Sequence, residues 1–327
     1  MIVLSNDDIA ALLPMIDAIE IVGNAMVAVS AGKANLPLRS IMQVGGPNAM
    51  GMMPGYLAEP AACYGVKLVS LFPGNPEAGY SSHQGAMVLF EAKHGSAVAM
   101  MNAGLLTAIR TAAASAVATR ALAKKEAPVL AIIGTGEQAE HHLDAMMAVR
   151  PIRELRVAGR RAEKAVAFAS HAAERYPELS ITAGTDARAA VDGADIVCTV
   201  TSSPEPVLLG EWVGPGTHLN VVGASVPSKR EIDEDMVAKA ALYVDYRPST
   251  FAQAGEVIGA LETGRIGKGH VLGEIGELIA GKAPGRTGDG QITLYRSLGI
   301  AAQDLACAAH CAELARARGR GIEAKLD

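Results

Sequence analysis

Apolar positions along this chain follow two different rhythms. Up to about residue 125, helical and strand-like runs are mixed. "IDAIEIVGNAMVAVSAGK" carries its apolar residues at helical spacing, and "AMVLFEAKHGSAVAMMNA" predicts two strands joined by a turn at His94-Gly95. "LLTAIRTAAASAVATRALAKK" predicts an Ala-rich helix packed closely against another backbone surface, with Lys124 and Lys125 suited to its C-terminal end.

Glu126-Ala127-Pro128 punctuates the chain, and a strict alternation begins there. "VLAIIG" predicts a buried strand, "EQAEHHLDAMMAV" a helix, "ELRVAG" a strand and "RAEKAVAFASHAAERY" a helix. "SITAG", "ADIVCTVT", "HLNVVGA" and "ALYVDY" continue as short apolar strands, and "SLGIAAQDLACAAHCAELARA" predicts a last amphipathic helix. Strands alternating with helices imply βαβ units and a parallel sheet, so the fold class is α/β.

Composition narrows the function. The 327 residues suffice for one large domain or two ordinary ones. At 50% hydrophobic and 19% charged, with a net charge of −5, the chain has no basic footprint for nucleic acid or an anionic membrane. No long uncharged apolar run predicts a membrane span, and the start "MIVLSNDDIAALLP" lacks the basic region of a signal peptide. Cys63, Cys198, Cys307 and Cys311 are too scattered for a disulfide framework, which favours a cytoplasmic setting with reduced thiols. Cys307, His310 and Cys311 share a short helical stretch without an evident fourth ligand, so packing is expected there and no metal.

The turn Gly134-Thr135-Gly136 follows the first strand of the alternating region and opens a helix, with Ala139 in place of a third glycine. That context suits a dinucleotide: glycines let the backbone approach a pyrophosphate, and the helix N-terminus offers unpaired N–H groups. His141-His142, just beyond, could approach the pyrophosphate, but His142 or His141 is rather expected to be solvated on that helix. The second strand ends in Gly159-Arg160-Arg161, with no acid for a free ribose. Arginine there can grip a 2′-phosphate, which favours NADP over NAD unless both side chains are merely solvated.

Three cations interrupt apolar stretches before this region: Arg39 in "NLPLRSIMQV", Lys67 in "YGVKLVSLF" and Arg110 in "LLTAIRTAAA". Taken singly, each could be a snorkelling or salt-bridged side chain. Together they suit a carboxylate substrate, gripped bidentately by arginine and met by a lysine point charge.

These motifs accumulate into a resemblance. "LPLRS", "MMPGY", "GVKLVSLFPGN", "SSHQGAMVLFE", "TAIRTAAASAVATRALA", "IIGTGEQA", "GADIVCTVT", "GEWVGPGTHLNVVGAS", "REIDEDM", "ALYVDY" and "SLGIAAQDLA" resemble, in order, the ornithine cyclodeaminase and μ-crystallin family. That family also holds archaeal-type alanine dehydrogenases and imine reductases. The resemblance implies a Rossmann NAD(P)-binding domain at 126–300. Beside it would stand an α+β substrate-binding and dimerisation domain at 1–125, completed by the C-terminal helix 301–327, in a homodimer. It implies that Arg39, Lys67 and Arg110 face the substrate carboxylate. It also implies cofactor contacts at or beside Ser82, Arg110, Thr111, Gly134, Thr135, Gly136, Glu137, Gln138, Arg160, Val222, Ser225, Lys229 and Ser297.

One position discriminates within the family. Cyclodeaminases resemble "GGDCPGK" where this chain has Gly223-Ala224-Ser225-Val226-Pro227-Ser228-Lys229, so their aspartate falls on Ser225. A hydroxyl replaces neither the charge nor the basicity of a carboxylate. This "GAS", with Ser82-His83-Gln84, resembles the ketimine-reducing μ-crystallin branch. The implied chemistry is reduction of a 2-imino acid to an L-amino acid by NAD(P)H. Lys67 is the candidate proton donor, His83 a second relay, and Ser225 a hydrogen-bonding partner of substrate or cofactor. Cyclic imines such as pyrroline- or piperideine-2-carboxylate, iminopyruvate and iminosuccinate are the candidate substrates. A second carboxylate would draw on His83 and Ser225. Ornithine cyclisation, and NADP-dependent binding of a small molecule without catalysis, are the alternatives.

Overall fold

In the computed structural model, which describes residues 1–60 and 62–325, the two rhythms become two separate sheets. The N-terminal stretch supplies β1 (Ile2–Leu4), α1 (Asn6–Leu12), α2 (Met15–Ser30), β2 (Ala34–Asn35), β3 (Ser40–Gly45) and β4 (Asn48–Leu57). It continues through β5 (Cys63–Leu71), β6 (His83–Glu91), β7 (Ala97–Asn102) and α3 (Ala103–Leu122). β6 and β7 are the two strands expected around His94-Gly95, and Gly95 takes the positive φ of that turn.

The alternating region supplies β8 (Val129–Ile133), α4 (Glu137–Val149), β9 (Glu154–Ala158), α5 (Ala162–Arg175) and β10 (Ser180–Gly184). Then come α6 (Ala187–Val191), β11 (Ile196–Thr199), β12 (His218–Val221), α7 (Glu234–Lys239), β13 (Ala241–Val244) and α8 (Arg247–Gln253). α9 (Gly255–Glu262), β14 (Val271–Glu274), α10 (Ile275–Ile279) and β15 (Thr293–Arg296) complete it. The chain ends with α11 (Ala301–Arg318) and β16 (Ile322–Glu323).

Two units result, one of Met1–Thr111 with Gly299–Asp327, the other of Ala112–Leu298, so the division falls inside α3. In the first unit a mixed sheet runs β16-β1-β7-β6-β5-β4-β2, with β3 also paired to β4. α11 lies over β4, β5 and β6 and against α2. Its close approach depends on the cross-strand pair Gly55 and Gly65. A Cβ on Gly55 would stand 2.8 Å from Ala301 Cβ, and one on Gly65 3.3 Å from Leu305 Cδ2, both on α11.

The second unit is an all-parallel sheet in the order β10-β9-β8-β11-β12-β15-β13-β14. From β8 the chain winds outward through β9 and β10, then returns to β11 on the other side of β8. That reversal is the topological switch point of a Rossmann fold, where ligands bind at the carboxyl ends of the strands. β11, β12, β13 and β15 are buried along their lengths or nearly so, as a sheet covered on both faces requires. Among the described residues no single helix is long and apolar enough to cross a membrane.

Three local expectations change. The last helix begins at Ala301, as the 301–327 bound has it, but ends at Arg318, where Gly319 takes the left-handed conformation. Lys124 does not serve the end of α3; it pairs with Asp195 at 2.9 Å. Arg150 caps that end instead, donating to the carbonyls of Thr119, Arg120, Ala123 and Lys124. His142 is not solvated but fully buried, held by Ser115 Oγ and the Gln138 carbonyl.

Candidate active site

Lys67 stands on β5 between Met53 of β4 and Met87 of β6, on the sheet face that α11 covers. Because α11 sits low on the Gly55–Gly65 pair, Asp304 in its first turn meets Lys67 directly. Lys67 Nζ donates to Asp304 Oδ1 at 2.9 Å. Arg110, on α3, donates from Nε to the same oxygen at 2.9 Å and from Nη1 to Gln303 Oε1 at 3.1 Å. Lys67 is 2% exposed, Arg110 4% and Asp304 0%, so the contacts form out of water. Arg39, in the segment before β3, donates from Nη2 to the Gly299 carbonyl at 2.8 Å. Its charge reaches Lys67 as well.

Two buried cations therefore share one carboxylate, with a third, half-buried Arg39, close enough for its charge to act on Lys67, which leaves an excess of positive charge. Burial, then the charge of Arg110, brings the Lys67 ammonium down to about 7, with Asp304 opposing and Arg39 assisting. Burial alone would push the Asp304 carboxyl up, but Arg110 and Lys67 outweigh it and hold it below its usual range. Asp304 Oδ2 and Gln303 Nε2 are buried without a hydrogen-bond partner among the described residues. Surplus positive charge and the unpartnered Gln303 Nε2 donor suit a small anion, whereas Asp304 Oδ2 can only accept a hydrogen bond.

Ser82 and His83 stand elsewhere on the same sheet. His83 opens β6 opposite Leu71, four residues along β5 from Lys67, or about 13 Å at the rise of a strand. His83 is exposed and Ser82 half-buried, and Ser82 Oγ lies 2.9 Å from His83 Nδ1. Thr111, next to Arg110, is buried. Cys307 and Cys311 are buried on α11, and burial pushes the Cys311 thiol up to about 12 and Cys307 well above its usual value.

In the second unit, Gly134 ends β8 with a φ of +124°, where a Cβ would stand 2.8 Å from the Val200 carbonyl oxygen after β11. Glycine is required there by conformation and by space. Gly136 differs: it is the N-cap of α4 with ordinary φ, and a Cβ there meets nothing within 4 Å. The turn thus leaves room in front of the α4 N-terminus, where Glu137 and Gln138 begin the helix, as a pyrophosphate cradle needs. Thr135 packs over Gly159, which leads into the exposed Arg160 at the end of β9.

At the end of β12 the chain turns through Val222 and Ser225 towards Lys229, with Val222 buried and Ser225 and Lys229 half-buried. Two groups invisible in the sequence shape this turn. Glu231 accepts from Thr199 Oγ1, from Thr201 N and Oγ1, and from Gly223 N at 2.5–3.0 Å. Arg296, fully buried at the end of β15, pairs with Glu256 and donates to the carbonyls of Val221, Ala224 and Ser297. Ser297 is buried, and its N–H donates to the Val221 carbonyl.

A Rossmann sheet with an open glycine turn, in a chain that also holds a buried cationic cluster, defines a nucleotide-dependent enzyme of small anionic substrates as its class. Residues 1–319 match the Ornithine cyclodeaminase/mu-crystallin family, and the chain belongs to it. Ketimine reductase mu-crystallin of Mus musculus is 36% identical over 273 residues, 83% of this chain and 82% of that one. The structure of Thermococcus litoralis Δ1-pyrroline-2-carboxylate reductase in complex with NADH and L-proline has a TM-score of 0.95 at 35% identity. It covers 99% of this chain and 100% of that one. An archaeal alanine dehydrogenase dimer with bound NAD has a TM-score of 0.93 at 33% identity, covering 100% and 99%.

Proposed function

We propose that this chain is an NAD(P)H-dependent imine reductase that converts a 2-imino acid to the corresponding L-amino acid. The observation that carries the reading is the set of half-buried Arg39 with buried Lys67 and Arg110, cationic in excess over Asp304. The substrate carboxylate is the missing anion, held by the arginines in two-point fashion. Positive charge on the imine nitrogen makes its carbon a better hydride acceptor, and Lys67, near neutrality, can give or take that proton at working pH. The bound nicotinamide supplies the hydride. Ser225 brings no charge to the turn after β12, which disfavours handling of a second ammonium group as in ornithine cyclisation.

In this reading the Ala112–Leu298 unit holds the cofactor through Gly134, Thr135, Gly136, Glu137 and Gln138, with Val222, Ser225, Lys229 and Ser297 on later strand ends. Ser82, Arg110 and Thr111 are the further contacts, and exposed Arg160 favours NADP. His83 is a second relay at the substrate. The other unit holds substrate and forms a homodimer. Its edge strand β3 exposes Ile41, Met42 and Val44, with Leu38 just before it, apolar surface suited to a second copy. Four free, buried thiols fit a cytoplasmic location.

The test is oxidation of NADH and of NADPH with pyrroline-2-carboxylate, piperideine-2-carboxylate, and pyruvate or oxaloacetate with ammonium, beside an ornithine control. Rapid oxidation with one imine is expected. Ammonia from ornithine, without net oxidation of cofactor by any imine, would overturn the reading.

A further inference from the structure

We propose that Asp304 is a positioning residue that acts through Lys67: its buried carboxylate aims the ammonium and keeps it charged before a carboxylate substrate arrives. The proposal rests on the reductase reading for the use made of that proton, but not for the hold itself.

The geometry argues it in two steps. Lys67 emerges between Met53 and Met87, neither of which carries charge, so its strand neighbours offer the ammonium nothing. The charged groups facing it are Asp304 from α11, Arg110 from α3 and Arg39 from the segment before β3. Cys307, one turn beyond Asp304 on α11, is a neutral thiol. Among the described residues Asp304 is thus the anion set against burial and two guanidinium groups, all of which favour loss of the lysine proton. Without it, burial and the two guanidinium groups would favour loss of the Lys67 proton unopposed.

Sharing is the second step. A single oxygen, Oδ1, accepts from both Lys67 Nζ and Arg110 Nε at 2.9 Å. This fixes the two cations side by side and leaves the remaining N–H groups of each for the substrate. Gly55 and Gly65 keep the backbone of α11 close enough for the short aspartate side chain to reach. A family of charged contacts that merely stabilised the fold would not need one oxygen to serve both.

The deciding experiment is a pH titration of the full chain labelled with 13Cε-lysine, the Lys67 signal being assigned by its loss in Lys67→Arg. In the wild type the signal is expected to titrate with a midpoint of about 7. Asp304→Asn is expected to lower the midpoint by about one unit or more, the effect of removing an opposite charge at this distance. Asp304→Glu, which keeps a carboxylate, should restore most of it. Asp304→Ser, with space for a water beside the cations, is the second variant should the asparagine one not fold, and the same drop is expected. An unmoved midpoint in a folded variant overturns the proposal, even if thermal stability has fallen. A parallel kcat profile with pyrroline-2-carboxylate and NADH separates the two claims. A falling limb displaced to lower pH with the midpoint supports both. A displaced midpoint with an unmoved limb supports the hold on Lys67 and overturns its role as proton donor.

Discussion

At Lys67 burial and the charges of Arg110 and Arg39 act against Asp304, and their balance places the ammonium near neutral pH. If it donates the proton in imine reduction, kcat is level below about 7 and falls about tenfold per pH unit above it. In the oxidative direction the neutral amine is needed, so the rate should rise through the same pH. Lys67→Ala should lower kcat by about 10²–10⁴-fold at neutral pH, with a smaller change in KM. Steady-state profiles in both directions check this. His142 shows the opposite use of burial. Its Nδ1 donates to the Gln138 carbonyl, its Nε2 accepts from Ser115 Oγ, and burial takes it down to about 4 from 6.5. The unfolded chain binds that proton between pH 6.5 and 4 while the folded one does not. Stability present above 6.5 is therefore lost as pH falls towards 4, by about 3 kcal/mol. His142→Gln should flatten that slope in urea unfolding. The three cations were legible as charges in apolar runs. Asp304 was not: in "AAQDLACAAH" it is one acid on a helix, and its burial comes from two glycines on strands far away in sequence.

The glycine turn is the element that the sequence described best, since strand, turn and helix stand in their expected places. Its two glycines nevertheless have different physical duties, which spacing does not reveal. Gly134→Ala should destabilise the fold by about 2 kcal/mol or more, because φ and the Val200 carbonyl both oppose a Cβ. Gly136→Ala should leave the melting temperature nearly unchanged and weaken NAD(P)H binding at least about tenfold, since the methyl enters space the pyrophosphate needs. Calorimetric titration with each cofactor, beside thermal melts, distinguishes them. Two strands of this sheet, β14 and β15, have no counterpart in the sequence pattern, and β15 shows why. It has four residues and ends in Arg296, an unpromising pattern for a buried central strand. The charge is accommodated only by Glu256 and three carbonyls drawn from other elements.

At the scale of the whole molecule, one sheet is parallel and ends its strands in glycine turns, while the other is mixed and buries a charged cluster beneath its last helix. The alternating region made the first legible. The second depends on long-range pairing, β1 with β7 and β16 at opposite ends of the chain, that no local pattern encodes. Cofactor choice is set at this scale too. Arg160→Ala should raise KM for NADPH by about tenfold while changing that for NADH little, as expected on losing a charge-assisted contact to phosphate. The central claim is that a hydride reaches the carbon next to the carboxylate. It is tested most directly with the 4,4-dideuterated reduced cofactor and pyrroline-2-carboxylate, or whichever imine of the panel is turned over, by mass and NMR analysis of the amino acid. The account predicts one deuterium at Cα and the L configuration. An amino acid free of deuterium at Cα, formed while the cofactor retains its label, would contradict it.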